Sequence, residues 1–271
     1  MAALPVHRWT AQRETDYHRT VSASLLLSLD KGARPIHRRS SAFIGGHRFF
    51  FAACGDPLNW KRLFTRAPGA QLTPELRARI QTSFDQAAAD EEHFPSTIDP
   101  RIYHVKLIQQ HLGDLAGRRV LDVGCGKGRF ARVFQQQEPR AELWGLDISP
   151  EMLRYVPAGI HTRAGAMTEL PFEDGYFDAA YATESLEHAV EIAKAVSEIC
   201  RVVKPGGRIA IIDKNAEQWG RLHTPEWEKW FTRKELERLL RRDCRQVSSR
   251  FVSYWEDVEP DGLFVAWLAV K

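Results

Sequence analysis

The sequence predicts an α/β fold: a doubly wound, mostly parallel sheet of seven strands with an antiparallel last strand, preceded by an N-terminal α+β extension. Two observations predict this fold class. From Arg101 onward, short apolar segments rich in β-branched residues alternate with segments of helical length, and this alternation is typical of a parallel sheet covered on both faces. The last two apolar segments follow each other closely enough to form an antiparallel hairpin.

Each expected strand is a short apolar segment bounded by turn residues or by a helical segment. The strands are expected at Val120–Val123, Leu143–Asp147, Gly159–Ala164, Phe177–Thr183, Ile209–Ile212, Gln246–Tyr254 and Leu263–Val270. The main helices are expected at about Pro74–His93, Ile102–Leu115, Gly128–Gln136, Ala189–Val202 and Thr232–Arg241. A short helix is expected to begin at Pro150 with Ser149 as its N-cap, and Lys204–Gly207 (KPGG) should turn the chain into the fifth strand.

A break in composition at residues 95–100 (PSTIDP) divides the chain into a basic extension, residues 1–100, and a regular domain, residues 101–271. Within the extension we expect a helix at Ser22–Ser28 and a hairpin at Ser41–Phe51, because two short apolar runs flank the turn pair Gly45–Gly46. The extension suits either a cap over a ligand site or a surface for homodimerisation or another partner.

The composition is that of a globular protein, with 44% hydrophobic and 27% charged residues among 271. No apolar run approaches the roughly 20 residues that span a bilayer, and the N-terminal segment lacks the apolar core of a secretory signal. We therefore expect a cytoplasmic protein with no membrane span. The four cysteines show no C-x-x-C pairing and are expected as reduced thiols rather than disulfides or zinc ligands.

The net charge of +3 is unevenly distributed along the chain. Residues 1–80 carry 13 Lys and Arg against 5 Asp and Glu, whereas the remainder carries 25 against 30. A basic N-terminal third suits an anionic substrate, nucleic acid or a membrane surface, and a solvated face accounts for it equally well. Around the expected hairpin, Arg38, Arg39 and Arg48 are candidates for attracting a phosphate or carboxylate of a substrate.

The most informative segment is VLDVGCGKGRF, Val120–Phe130, in which an apolar strand runs into three alternating glycines. Glycines at such a turn let the backbone approach a ligand closely. Asp147 ends the next strand, 19 residues beyond Gly128, where an acidic side chain can accept hydrogen bonds from both ribose hydroxyls of a nucleoside. The spacing is G-x-G-x-G rather than G-x-G-x-x-G, and Asp122 lies inside the strand. The pattern indicates a nucleoside site without the usual pyrophosphate cradle.

This combination resembles motif I of the class I S-adenosylmethionine-dependent methyltransferases that act on small molecules. The resemblance continues through GAMTELPFEDGYFDAAYATESLEH, Gly165–His188, and RVVKPGGRIAII, Arg201–Ile212, and covers about Ile102–Lys271. It implies a Rossmann-like fold and an enzyme that transfers the methyl group of S-adenosylmethionine and releases S-adenosylhomocysteine. Residues 101–271 would be the cofactor-binding domain.

The resemblance also implies which residues bind the cofactor. They are Asp122, Gly124, Cys125, Gly126, Gly128, Asp147, Ile148, Met152, Ala166, Met167 and Thr183. Asp122 would orient the amino group of the methionine part, Asp147 would bind the ribose, and Thr183 would lie near the methionyl carboxylate and the sulfonium. Ile148 and Met152 would flank the adenine, although ordinary core packing is the alternative for both Met152 and Met167.

His188 is the candidate general base, because a hydroxyl acceptor keeps its proton at neutral pH and needs a base to remove it. A structural histidine at a helix start is the alternative. Glu184, Glu187 and His188 also resemble the group that binds a divalent metal in some small-RNA 2′-O-methyltransferases. Such a site would need a further ligand, for which His223 is the only obvious later histidine. We expect no metal.

The segment Asp213–Phe231 follows the fifth strand, and so emerges at the sheet edge where ligands bind. Its candidate substrate contacts are Trp219, His223, Trp227 and Lys214. The alternative for Trp227 and Trp230 is packing of their own segment against the sheet. Phe94 in the extension and Tyr103 just after it are candidates for shielding the cofactor from water.

The acceptor is the least determined part of the function. Strand four ends Tyr181-Ala182-Thr183-Glu184, without the Asn/Asp-Pro-Pro-Tyr signature of enzymes that methylate adenine or glutamine amide nitrogens. We favour O-methylation of a natural product or sugar derivative, and the basic extension suits an anionic acceptor. C- or N-methylation of a small metabolite, RNA methylation through the basic extension, and a non-catalytic relative are the alternatives. The lack of a known RNA-binding signature argues against a nucleic-acid partner.

Overall fold

The computed structural model describes residues 71–271. Several sequence expectations therefore lie outside the described residues. These are the helix at Ser22–Ser28, the hairpin at Ser41–Phe51, the arginines Arg38, Arg39 and Arg48, and the thiol of Cys54. Within the described residues, no helix is both long enough and apolar enough to cross a membrane.

One seven-stranded sheet organises the described residues. Its strands are β1 (Arg119–Val123), β2 (Glu142–Asp147), β3 (His161–Ala164), β4 (Phe177–Thr183), β5 (Val203–Lys214), β6 (Gln246–Val252) and β7 (Phe264–Val270). The order across the sheet is β3-β2-β1-β4-β5-β7-β6. Strands β1 to β5 are parallel to one another, whereas β7 runs antiparallel to both β5 and β6. The predicted fold class is confirmed, with the last strand inserted between β5 and β6.

Helices cover both faces of the sheet. They are α1 (Pro74–Ala87), α2 (Tyr103–Leu112), α3 (Arg129–Gln137), α4 (Pro150–Leu153), α5 (Ile192–Val202) and α6 (Arg233–Leu240), with 3-10 turns at Leu186–His188 and Ala216–Gln218. Because side chains alternate along a strand, Ile209 and Ile211 of β5 enter one buried layer while Ala210 and Ile212 enter the other. The sheet is thus apolar on both faces, as a doubly wound fold requires.

Three helix boundaries differ from the sequence expectation by three residues or more. Helix α1 ends at Ala87 instead of His93, because the Asp90 carboxylate accepts hydrogen bonds from the Glu92 and His93 amides, both at 3.0 Å, and so favours a local turn. Helix α2 ends at Leu112, where Gly113 adopts a positive φ of 76°. The α5 segment begins at Ile192 and is preceded by the 3-10 turn that carries His188.

Strand β5 begins earlier than expected, at Val203, and contains the KPGG segment. Phe177 of β4 pairs with Val203, but Ala179, two residues on, pairs with Arg208. The four intervening residues of β5 therefore bulge out of the ladder, with Gly206 at a φ of 81°. The predicted turn is present as this bulge.

Candidate active site

A cavity opens at the carboxyl ends of β1, β2, β4 and β5, the edge at which parallel sheets bind ligands. We divide the polar residues of its lining into two groups. The first, which we term the glycine-loop end, comprises Asp122, Gly124–Gly126, Asp147 and Thr183, and the second, which we term the histidine end, comprises Glu187, His188, Lys214 and Glu228. Both sets converge because successive strands of the sheet all stop at this edge.

The glycine loop is anchored by main-chain hydrogen bonds to β2. The amides of Gly124 and Cys125 both donate to the Leu146 carbonyl, at 2.7 and 3.0 Å. Gly124 has a φ of 73°, and a Cβ there would come within 2.5 Å of the Ser185 Cβ, so only glycine fits. Gly126, at a φ of 52°, has open space where a Cβ would stand. The loop therefore leaves room for a ligand to approach its backbone.

Asp147 is held by main-chain donors on both carboxylate oxygens. Its Oδ2 accepts from the Gly126 amide at 2.8 Å and its Oδ1 from the Ser149 amide at 2.9 Å. The side chain is 8% exposed, and burial raises its pKa despite these hydrogen bonds. The carboxylate thus has a fixed position between the glycine loop and the start of α4.

Asp122 lies beneath the loop and is almost fully buried. It accepts a hydrogen bond from the Tyr181 hydroxyl at 3.0 Å, while the Tyr181 ring packs edge-on against Phe134. Burial raises the pKa of Asp122 to about 7, with a further contribution from the charge of Asp147, whereas the Tyr181 hydrogen bond and Arg129 oppose the rise. Asp122 therefore changes its charge near neutral pH.

The predicted cofactor residues come together around this end of the cavity. The lining includes ten of the eleven: Asp122, Gly124, Cys125, Gly126, Asp147, Ile148, Met152, Ala166, Met167 and Thr183. Gly128 does not line the cavity; it precedes α3 with a φ of 74° and lies close to Val156. The Thr183 Oγ1 is buried and has no hydrogen-bond partner among the described residues.

The histidine end is a cluster of buried charged groups. His188 directs its Nε2 towards Glu187 Oε1 at 3.6 Å and its Nδ1 towards Glu228 Oε2 at 3.9 Å. Lys214 Nζ donates to Glu187 Oε1 and, at 3.3 Å, to Glu228 Oε1. Trp230 Nε1 also donates to Glu228 Oε1, at 2.6 Å. Both distances from His188 are longer than a hydrogen bond, and its buried Nδ1 has no hydrogen-bond partner among the described residues, so the ring lies near two carboxylates that share one ammonium group.

Burial and pairing oppose each other in this cluster. Burial disfavours the charge of Lys214, but the carboxylates of Glu187, Glu228 and Asp213 outweigh burial and raise the pKa of Lys214. Burial would raise the pKa of Glu187, yet Lys214 and His188 lower it overall. For Glu228, burial and the neighbouring Glu187 together raise the pKa. Lys214 thus stays positively charged and mainly stabilises the charge of Glu187.

The carboxylates of Glu187 and Glu228 and the ring of His188 offer ligand atoms within 4.8 Å of one another. Lys214 already bonds both carboxylates, so its ammonium group supplies the positive charge that a metal ion would otherwise supply. Of the metal group considered from the sequence, Glu187 and His188 belong to this cluster, whereas Glu184 and His223 do not. Glu184 instead accepts hydrogen bonds from Arg129, at 3.2 Å, and from the Tyr254 hydroxyl, while His223 is exposed.

The expected substrate contacts are not brought together. Lys214 lines the cavity, but Trp219, His223 and Trp227 are absent from the lining formed by the described residues. Trp219 is 53% exposed and packs edge-on against Trp230, whereas Trp227 is buried in a cluster with Ile80. Trp227 and Trp230 both belong to buried hydrophobic clusters, so packing, which is the alternative considered for them from the sequence, describes their positions. The same segment instead contributes Leu222, Pro225 and Glu228 to the cavity.

Helix α1 and the turn after it cover the cavity. Asp85 Oδ1 accepts from Ser149 Oγ at 2.6 Å and from the Glu151 amide at 3.3 Å, which fixes α1 to the start of α4. Lys127 Nζ donates to the Asp90 carbonyl at 3.1 Å and to Glu91 at 2.8 Å. The residues that this segment adds to the lining are Leu72, Ile80, Phe84, His93, Phe94 and Pro95.

Of the two aromatic residues expected to shield the cavity, only Phe94 lines it. Tyr103 begins α2, where its amide donates to the Tyr254 carbonyl at 2.7 Å, and its ring packs against the core on that face. Phe84, which the sequence analysis missed, packs edge-on against His188 with ring centroids 5.1 Å apart. An apolar helical spacing in α1 was the available signal, but it does not reveal what the helix covers.

Comparison with known proteins finds a matching domain family and several relatives. A family described as "Methyltransferase domain" matches residues 121–211. The chain is 34% identical over 166 residues to O-methyltransferase resE of Aspergillus sclerotiorum, covering 55% of this chain and 62% of that protein. It is 35% identical over 115 residues to O-methyltransferase rstn1 of Aspergillus nomiae, covering 39% of this chain and 51% of that one. The chain thus spans only half to three fifths of these relatives.

Solved structures show the same fold at low sequence identity. A SAM-dependent methyltransferase from Aquifex aeolicus superposes with a TM-score of 0.51 at 18% identity, covering 70% of this chain and 97% of that one. The phosphoethanolamine N-methyltransferase 2 of Haemonchus contortus, in complex with S-adenosylmethionine, gives a TM-score of 0.52 at 15% identity, with coverages of 62% and 52%. Residues 121–211 thus match a methyltransferase domain, and the fold and the motif order support a class I S-adenosylmethionine-dependent methyltransferase.

Proposed function

We propose that this protein transfers the methyl group of S-adenosylmethionine to a hydroxyl group of a small molecule. The observation that carries the proposal is His188, which lies in the cavity with each ring nitrogen facing a buried carboxylate. The two relatives described above, both named O-methyltransferases, support the same reaction type. Their names do not give the acceptor.

The glycine-loop end has the groups that this cofactor needs. Asp147, fixed by two main-chain donors, would accept from the ribose hydroxyls, and Asp122 would face the amino group. The unpartnered Thr183 Oγ1 would bond a polar group of the methionine part. Ile148, Met152, Ala166 and Met167 would form the apolar surroundings of the adenine. The open space at Gly126 allows the backbone to be approached there.

S-adenosylmethionine, when bound, supplies a methyl group on a positively charged sulfur. The part of the protein is to position the acceptor and to remove its proton. His188 would accept the hydroxyl proton on one ring nitrogen, while the carboxylate facing the other nitrogen stabilises the resulting imidazolium. Glu187 Oε1, 3.6 Å from Nε2, and Glu228 Oε2, 3.9 Å from Nδ1, would serve that role.

Water must be kept from the reacting groups, and the covering segment suits this purpose. Phe84 and Phe94 form an apolar wall beside His188, with their ring centroids 6.1 Å apart. We assign residues 71–100 as a cap on the cofactor-binding domain at residues 101–271. Asp85 and Lys127 hold this cap to the domain on two sides.

Product analysis tests the reaction type directly. The protein would be incubated with S-adenosylmethionine labelled in the methyl group and a panel of neutral aromatic and aliphatic hydroxyl compounds. Each compound would be paired with its methyl ether, in which the hydroxyl is blocked. We expect label in O-methyl products of the free hydroxyl compounds and none with the ethers. Label on carbon or nitrogen, or transfer to total RNA but to no hydroxyl compound, would contradict the proposal.

A further inference from the structure

The charge of the cavity lining is unbalanced. The described lining residues include five carboxylates but only three Lys and Arg side chains. The carboxylates are Asp122, Asp147, Glu184, Glu187 and Glu228; the cations are Lys127, Arg129 and Lys214. The part of the cavity that the structure describes therefore carries an excess of acidic groups.

Every one of these three cations already has a carboxylate partner. Lys127 pairs with Glu91 at 2.8 Å and Arg129 with Glu184 at 3.2 Å, and Lys214 is shared between two carboxylates at the histidine end. The two histidines of the lining also face acids: His93 pairs with Asp90 at 2.7 Å, and His188 lies between Glu187 and Glu228. The described lining thus has no unpaired Lys or Arg to receive an acceptor's carboxylate.

The acidic excess is concentrated beside the proposed base. One ammonium group serves two buried carboxylates there, and the Glu187 Oε2 has no hydrogen-bond partner among the described residues. Glu228 is 5% exposed and directs its Oε2 towards His188. A further carboxylate placed here would be desolvated next to like charges, which is costly without a partner of opposite charge.

Apolar side chains also line the cavity. Phe84 and Phe94 come from the covering segment, and Leu222 and Pro225 come from the loop after β5. We infer that the histidine end selects a neutral, predominantly apolar hydroxyl compound and rejects carboxylate acceptors, with Glu228 as the residue that enforces the rejection. This inference rests on the proposed function and names the substrate class of the same site.

Three probes that share one ring system but differ in charge test the selection. They are 2-naphthol, which is neutral, 2-naphthoate, which is anionic, and 2-naphthylmethylammonium, which is cationic. Each is titrated calorimetrically at pH 7.5 into protein saturated with S-adenosylhomocysteine. We expect 2-naphthol to bind at least about tenfold more tightly than 2-naphthoate, because like charges repel each other in a desolvated site. This comparison uses the wild-type protein and needs no variant.

The variant Glu228→Gln keeps the shape of the side chain and its acceptor for Trp230 but removes the charge. This variant should reduce the ratio of the dissociation constants of naphthoate and naphthol at least about fivefold, through tighter binding of naphthoate. Glu226→Gln is the matched control, since Glu226 lies two residues away on the same loop with 69% of its side chain exposed. The control should leave the ratio of the two dissociation constants unchanged.

The outcomes separate the two proposals. Failure of S-adenosylhomocysteine itself to bind would overturn the proposed function. If it binds but naphthoate matches or exceeds naphthol, or no probe binds, the inferred substrate class is wrong and the cofactor assignment stands. Tightest binding of the cationic probe would also overturn it, in favour of an amine acceptor. If the ratio of the two dissociation constants is the same in the Glu228→Gln and Glu226→Gln variants, Glu228 does not enforce the rejection of carboxylates.

Discussion

The two ends of the cavity are built in different ways. At the glycine-loop end, main-chain groups hold the functional side chain: the amides of Gly126 and Ser149 fix Asp147 at 2.8 and 2.9 Å. At the histidine end, charged side chains from separate segments hold one another, and the link between Lys214 and Glu228 joins the end of β5 to a loop. The glycine-loop end thus depends on a contiguous backbone motif, whereas the histidine end depends on a tertiary arrangement. Substitutions at the two ends should therefore have separable effects.

The largest effect is expected at the histidine end. His188→Gln should lower kcat by about 100-fold or more at pH 7, because a positioned general base contributes about 10²- to 10⁴-fold. The measurement is methyl transfer to the best acceptor of the hydroxyl panel. The loss should shrink for acceptors that are already ionised at the assay pH. His223→Gln, which alters an exposed histidine outside the cavity lining, is the control and should retain activity. A His188→Gln variant with near-normal kcat would rule out the base.

The next effect is expected at the glycine-loop end. Asp147→Asn keeps the size of the side chain but removes its charge and one acceptor, so S-adenosylhomocysteine should bind about tenfold to 100-fold more weakly, as for hydrogen bonds to a charged group. Calorimetric titration measures this. Asp257→Asn, at an exposed position, is the control. Unchanged affinity in Asp147→Asn would mean that the ribose is bound elsewhere.

A third expected effect is a dependence of S-adenosylhomocysteine affinity on pH. The pKa of Asp122 is raised to about 7 by burial, so the carboxyl is mostly protonated at pH 6 and mostly ionised at pH 8. If the ionised form faces the cofactor's amino group, S-adenosylhomocysteine should bind about tenfold more weakly at pH 6 than at pH 8. Binding near pH 7 should also release protons. Calorimetry in two buffers of different ionisation enthalpy measures that release.

Asp122→Asn provides the control for this titration, since its side chain cannot ionise. The variant should show neither the pH dependence nor the proton release. If the wild type and Asp122→Asn have the same pH profile, the titrating group lies elsewhere and Asp122 does not contact the amino group in its charged form.

The smallest effect concerns the covering segment, which touches both ends. Asp85→Ala removes the acceptor for Ser149 Oγ and the Glu151 amide. The free energy of unfolding should fall by about 1–2 kcal/mol, the typical value for one or two lost hydrogen bonds at a partly buried site. Denaturant unfolding measures the change, with Asp257→Asn again as the control. A larger loss that also abolishes S-adenosylhomocysteine binding would show that the cap is part of the cofactor site itself.

The sequence was sufficient for the sheet and for most of the glycine-loop end. A strand followed by G-x-G-x-G and an acid at the next strand's end is contiguous, and its geometry depends on local backbone conformation at Gly124 and Gly126. Parallel alternation then places Asp147 and Thr183 at the same sheet edge, so their proximity follows from topology alone. Gly128 is the exception, because its role is to start α3 rather than to line the cavity.

The histidine end was only partly predictable. His188 and Lys214 follow predicted strands, but Glu228 lies in a charged and aromatic loop segment, EWEKWF, whose pattern does not show which side chains point inwards. The loop's fold buries Glu228 and Trp227 while it exposes Trp219 and His223. Likewise, the helical pattern of α1 does not reveal that Phe84 contacts His188. Such contacts depend on tertiary packing between segments far apart in the chain.

The most direct test of the division between the two ends is a single calorimetric series. S-adenosylhomocysteine is titrated into the wild type, His188→Gln and Asp147→Asn under one set of conditions. The account predicts equal affinity for the wild type and His188→Gln, and an affinity about tenfold to 100-fold weaker for Asp147→Asn. If His188→Gln weakens binding as much as Asp147→Asn, or if Asp147→Asn binds like the wild type, the cavity is not divided as described.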